Sequence, residues 1–179
     1  MSEARDSVRI WRRCAWLALA ISCVTYLLVS RANHQAFHPW GRLGFFDLRV
    51  YRGAAQRLLN GGSLYGGPIW KWAPFTYPPF AAVVLIPLAL LPLALDDVLV
   101  TLFGIVALFA ILSLALRMPM GQDRHPAVRA QSRSVLVPLA VAAALWLEPI
   151  TATLGYGQIN LLIVLLVVGD LSRPDGARG

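Results

Sequence analysis

The stretch FFDLRVYRGAAQRLLNGGSLY, residues 45–65, followed by FTYPPF at 75–80, decides how this chain is read. It is polar and aromatic, and it belongs to a loop, residues 31–79, flanked by segments apolar enough to be membrane-embedded. Asp47 is its one acid, near the expected boundary of lipid and water, amid Arg, Tyr and Trp side chains. Within it the spacing predicts a helix over 48–59. Tyr51, Ala54, Ala55, Leu58 and Leu59 recur on one face, with Arg49, Arg52, Gln56 and Arg57 largely elsewhere. Asp47 stands at the expected N-cap, and Asn60-Gly61-Gly62 supplies the stop, because glycine readily takes the left-handed conformation after a helix. An amphipathic helix with a basic face beside a membrane span is expected to lie in the interface plane.

Composition agrees with a membrane setting. Of 179 residues, 58% are hydrophobic and 14% charged, and the mean hydropathy is +0.62. Soluble domains carry about 25% charged residues, so these charges are too few to cover a water-facing globule. The formal charge of +7 is mostly arginine placed beside apolar runs, which suits lipid phosphates. No nucleic-acid motif is present. Cys14 and Cys23 lie in one apolar run with no metal-ligand spacing, and they read as small buried hydrophobes.

Further apolar runs divide the chain. Arg5, Arg9, Arg12 and Arg13 precede the first, 14–30, and put the N-terminus in the cytoplasm. A weak cleavage site favours an uncleaved helix over a signal peptide. Pro78 and Pro79 open the second, 80–95, which Pro87 and Pro92 interrupt, so it is a kinked span or a re-entrant segment. Spans are also expected at 98–116, 135–147 and 159–170, with Asp96 a candidate cap of the first of these. The sum is an all-α, multi-spanning plasma-membrane bundle forming one domain. If 80–95 crosses fully, the arginine-rich loop 117–134 falls outside, against the positive-inside bias. If it is re-entrant, that loop falls inside, and 155–160 shares a side with Asp47.

Several side chains point to chemistry. Desolvation at a membrane boundary raises a carboxylate's affinity for a proton, which suits a general base, whereas neighbouring Arg49 and Arg52 oppose that effect. A plain helix cap is the competing role for Asp47, and the two are compatible because a carboxylate has two oxygens. Trp40, Phe45, Phe46, Tyr51, Tyr65, Trp70, Trp72, Phe75 and Tyr77 suit either an aromatic belt at headgroup level or a sugar-binding surface. Lys71 and the arginines can hold a phosphate or a lipid headgroup. Gln158 and Asn160 stand at the entrance of an apolar run, where buried amides need partners.

Three blocks, DLRVYRGAAQRLLNGGSLY, FTYPPFAAVVLIPLALLP and GYGQINLLIVLLVVGDL, in this order and spacing resemble the glycosyltransferase family 87 mannosyltransferases of actinobacteria, over roughly residues 43–170. The resemblance implies the GT-C architecture and α-(1→2) transfer of mannose from a polyprenyl-phosphate-mannose donor to a glycan or glycolipid acceptor. It matches Asp47 to an acidic base before an amphipathic helix, Tyr51, Gly61 and Tyr65 to the helix and turn, and Tyr77, Pro78 and Pro79 to the loop exit. Gln158 and Asn160 match a later amide motif. One base suffices when phosphate is already a good leaving group, and attack opposite the phosphate inverts β to α. Arg49, Arg52 or Lys71 would stabilise the departing phosphate, with no metal or cofactor implied. Family members are considerably longer, so the chain looks like the N-terminal part of such an enzyme, and an inactive fragment is one alternative. A GT-C transferase with another lipid-linked sugar is another. A transporter or scaffold fits less well, because the apolar runs hold almost no charge.

Overall fold

The computed structural model describes residues 2–33, 44–117 and 126–173. Trp40 and the rest of 34–43, most of the arginine-rich loop with Arg124, and the final polar tail lie outside the described residues. The first apolar run is the second half of one long helix, α1 (Ser2–Asn33). The loop helix is α2 (Phe46–Leu59), followed by a small antiparallel pair that the sequence reading missed, β1 (Pro68–Trp70) and β2 (Ala73–Pro74). Then come α3 (Pro79–Val84), α4 (Ile86–Leu90), α5 (Leu93–Ala115), α6 (Pro126–Ala144), α7 (Glu148–Tyr156) and α8 (Asn160–Leu171).

Proline and glycine set most of the boundaries. Prolines stand in the first positions of α3, α4 and α7, where a missing N–H costs nothing. Gly61, at φ 69°, closes α2, with its N–H on the Leu58 carbonyl and that of Gly62 on the Arg57 carbonyl.

The stretch 80–95 is not one helix. Pro87 and Pro92 cannot donate to a helical ladder, and the chain breaks into α3, α4 and the start of α5. Both ends of this segment stay beside α2: Tyr77 meets Tyr51 before it, and Asp96 meets Arg52 after it. The segment therefore begins and ends beside the same helix. Two helices, Asp6–Val29 and Leu93–Ala115, are long and apolar enough to cross a membrane, and Gln131–Ala144 with Glu148–Tyr156 forms a pair bent by 70°. Helix α8 has 12 residues, about 18 Å of rise against a hydrocarbon core of about 30 Å.

Helices α1 and α6 run parallel. Val8 and Trp11 line one open cleft with Gln131 and Val135 at one end. Farther along, the Ser22 hydroxyl donates to the Ala142 carbonyl at 2.9 Å and accepts from Trp146 Nε1 at 2.8 Å, and Tyr26 packs edge-on against Trp146. The N-terminus of α1 and the start of α6 thus share one end of the bundle. The opposite end holds α2, the β-pair and α7.

Two cores follow. Leu19, Tyr26, Leu108, Val141, Leu145, Leu154 and Leu161 tie α1, α5, α6, α7 and α8 together. Phe46, Val50, Tyr51, Ala54, Leu64, Ala73, Phe75 and Ala82 form a separate core for the loop region. That second core gives the loop a rigid platform, which a flexible connector of the same length would lack.

Candidate active site

Helix α2 starts two residues before the expected position, and its N-cap is Phe45, not Asp47. Asp47 lies in the first turn and makes no side-chain cap. Phe45 takes a left-handed conformation at φ 55°, ψ 36°, which costs a non-glycine residue about 1–2 kcal/mol. Its backbone N–H donates to the Gly155 carbonyl at 2.7 Å, and its ring is buried. This bond joins the start of α2 to the end of α7.

The junction needs Gly157. It sits at φ 68°, and a Cβ built there would lie 2.8 Å from Leu48 Cβ and 3.0 Å from Phe45 Cδ1. Neither neighbour is the end of a flexible chain. Gly157→Ala is expected to destabilise the protein by about 2 kcal/mol or more, through left-handed strain plus overpacking. Thermal unfolding in detergent reads the loss, and an unchanged midpoint would refute the close approach.

The juxtaposition brings Asp47 and Gln158 together across 111 positions of sequence. Gln158 Nε2 donates to Asp47 Oδ2 at 2.6 Å, and Asn160 Nδ2 donates to Gln158 Oε1 at 2.8 Å. Asp47 and Gln158 are half-buried and Asn160 is exposed. Beside them the Tyr51 and Tyr77 hydroxyls meet at 3.0 Å with rings edge to face, and the Tyr65 hydroxyl donates to the Tyr77 carbonyl at 2.8 Å. Burial pushes the Tyr51 phenol well above the usual tyrosine range, with the Tyr77 hydroxyl and the Asp47 carboxylate adding to the effect. Tyr51 is therefore a neutral hydroxyl, able to donate or accept.

Lys71 is at the turn of the β-pair, at φ 52°, and is exposed. Adjacent Trp72 packs on Phe46, with ring centroids 5.3 Å apart. That contact sets the turn over the first turn of α2, next to Asp47. Arg57 holds the pair from the other side through the Pro68 carbonyl at 2.7 Å.

Arg49 and Arg52 go elsewhere. A helix turns about 100° per residue, so both project from the side of α2 roughly opposite Asp47. Arg49 makes a two-pronged pair with Asp97, both bonds at 2.8 Å, and its guanidinium carbon lies 5.8 Å from the Phe45 ring centre. Arg52 pairs with Asp96 and donates to the Leu88 carbonyl. The expected basic, water-facing side of α2 is thus largely taken up by carboxylates of α5. The reading of Asp96 as a cap before a span overlooked this pairing, because α5 begins five residues earlier than expected and carries both acids into the bundle. Two adjacent acids and two arginines three apart were the available signal.

Of the residues singled out in the sequence, then, Asp47, Gln158 and Asn160 form one chain of bonds, and Tyr51, Tyr65 and Tyr77 form a second group beside it. Lys71 lies in the β-turn beside Trp72, and Arg49 and Arg52 support α2 from behind.

The sequence profile of glycosyltransferase family 87 matches residues 75–178. A polyprenol-phosphate-mannose-dependent alpha-(1-2)-phosphatidylinositol mannoside mannosyltransferase of Mycobacterium tuberculosis is 35% identical over 90% of this chain and 39% of its own length. A polyprenol-phosphate-mannose-dependent alpha-(1-2)-phosphatidylinositol pentamannoside mannosyltransferase of the same species is 36% identical over 84% of this chain and 32% of its own length, and one of Mycolicibacterium smegmatis is 34% identical over 92% and 35%. The chain therefore spans about two fifths or less of these relatives. No solved structure matches it.

Proposed function

The chain belongs to glycosyltransferase family 87, and from that premise we propose that it carries the base and part of the donor site of a membrane mannosyltransferase. The donor is a polyprenyl-phosphate mannose and the acceptor a mannosylated glycolipid, the substrate classes its relatives are named for. The observation that carries this reading is Asp47, held by Gln158 at one oxygen and bordered by tyrosines at the end of the bundle away from the N-terminus.

The acceptor hydroxyl gives its proton to Asp47 as its oxygen attacks the anomeric carbon. Phosphate leaves with its lipid from the opposite face, so a single displacement converts a β-linked donor into an α-linked product. Lys71 supplies positive charge to the departing phosphate. Arg49 and Arg52 keep α2 in place instead of meeting the donor. Trp72, Tyr65 and Tyr77 offer the sugar a wall of rings and hydroxyls.

Arg9, Arg12 and Arg13 near the start of α1, with Arg133 near the start of α6, collect at one end of the parallel pair. Under the positive-inside rule that end faces the cytoplasm, so α2 and the β-pair work at the outer face, where a lipid-linked sugar presents its headgroup. Membranes containing the whole protein, supplied with radiolabelled polyprenyl-phosphate mannose or polyprenyl-phosphate glucose, test the reading. Label from mannose alone is expected in the glycolipid fraction. Equal transfer of glucose, or no transfer of either, would refute it.

A further inference from the structure

Taking Asp47 as the base, as proposed above, we infer that Gln158 and Asn160 are positioning residues that form a relay of fixed polarity and reserve one oxygen of Asp47 for the acceptor hydroxyl. The polarity follows from what each group can do. An ionised carboxylate only accepts hydrogen bonds. The Gln158 atom 2.6 Å from Asp47 Oδ2 must therefore be its NH2. That leaves Gln158 Oε1 at the other end, so the Asn160 atom 2.8 Å away must again be a donor. Asn160 thus decides which way the Gln158 amide faces, and Gln158 decides which carboxylate oxygen is occupied. Among the described residues, Asp47 Oδ1 has no hydrogen-bond partner, and this is the atom left to take a proton.

The backbone supports the same assignment. The Gly155 carbonyl holds the Phe45 N–H, Gly157 at φ 68° lets the chain pass within contact of Leu48, and Gln158 N–H returns to the Thr153 carbonyl at 3.0 Å. The turn 155–158 therefore fixes the Cα of Gln158 relative to the first turn of α2, and rotation of the amide is the freedom that Asn160 removes. This gives the segment GYGQIN a physical role: Gly157 for the approach, Gln158 for the contact and Asn160 for its orientation.

A relay makes a different forecast from two independent substrate contacts. In the whole protein, Gln158→Ala is expected to lower kcat about 10- to 100-fold with little change in the KM for the lipid donor. Asn160→Ala should lower kcat about 10-fold alone and add nothing in the Gln158→Ala background. Asn160→Asp should be worse than Asn160→Ala, because a carboxylate cannot donate to Oε1 and turns the Gln158 carbonyl toward Asp47. Asn160→His, whose Nδ1–H sits where the Asn160 amide was, should recover most of the rate. A substrate-free readout separates this from the transfer reaction: labelling of Asp47 by a water-soluble carbodiimide, followed by mass spectrometry, should quicken several-fold in Gln158→Ala and Asn160→Asp and stay near wild type in Asn160→His. Additive losses in the double variant, or carbodiimide rates unmoved by Asn160→Asp in protein with a wild-type melting midpoint, would overturn the relay. A wild-type protein that transfers no mannose, yet shows the labelling pattern, would overturn the proposed reaction and leave the relay standing.

Discussion

Replacing Asp47 by Asn is expected to lower mannosyl transfer by about 10²- to 10⁴-fold, the usual contribution of a positioned base. The change keeps the shape of the side chain and removes its ability to take a proton. Gln158 Nε2 then faces an amide that can still offer it an oxygen, so the junction between α2 and α7 should survive. Melting in detergent is expected to stay close to wild type, and the lipid donor should still bind, because the proposed site assigns its phosphate and sugar to Lys71 and the rings, which the substitution leaves in place. Asp47→Glu should retain a measurable rate, since a carboxylate remains but stands one methylene farther from the helix. Turnover of Asp47→Asn within a few-fold of wild type would remove Asp47 from the role of base. A lost rate accompanied by a collapsed melting midpoint would instead make its contribution structural.

The second large effect concerns stability. Asp96 is fully buried, one of its oxygens is held by Arg52, and Oδ1 has no hydrogen-bond partner. Arg52 is 16% exposed and shares its donor with the Leu88 carbonyl. Removing the cation alone strands a charge with neither water nor a partner. Arg52→Met is therefore expected to destabilise by about 3–5 kcal/mol, while Arg52→Met combined with Asp96→Leu should recover most of that loss, because an apolar pair of similar volume carries no buried charge. Melting of the single and double variants checks this. A single variant no worse than the double would show that the pair is not insulated from water. The more exposed Arg49–Asp97 pair should matter less: Arg49→Met is expected to cost a smaller amount, because water can reach the Asp97 it leaves behind.

What could be read in the sequence, and what could not, divides along a physical line. The α2 helix, its glycine stop, the proline breaks at 87 and 92, and the chemical interest of Asp47, Gln158 and Asn160 are local signals, written in periodicity and in residues with few alternatives. The bond from Gln158 to Asp47 spans 111 positions, and the pairs of Arg49 and Arg52 with Asp97 and Asp96 span 48 and 44. Such meetings depend on how helices pack, which a single stretch does not encode. Phe45 shows the same limit at one residue. Asp was the better cap by preference, yet the bond from Phe45 N–H to Gly155 and the burial of its ring outweigh about 1–2 kcal/mol of left-handed strain, and the helix begins earlier. The two-stranded ribbon was hidden because PIW and AP are too short for any alternation to register. The fate of 80–95 was open for a related reason. Composition allows the segment to cross or to turn back, and what it could not show are the contacts of Leu88 and Asp96 with Arg52 of α2.

One proton transfer and one displacement at Asp47 leave their record in the anomeric configuration of the product. Transfer from a synthetic β-linked polyprenyl-phosphate mannose, isotopically labelled at the anomeric carbon, can be followed by NMR of the purified glycolipid. An α-linked mannose, formed by wild-type protein and lost with Asp47→Asn, is the expected result. A β-linked product would mean retention, by two displacements or by attack on the face that phosphate leaves, and would contradict a single back-side displacement assisted by Asp47.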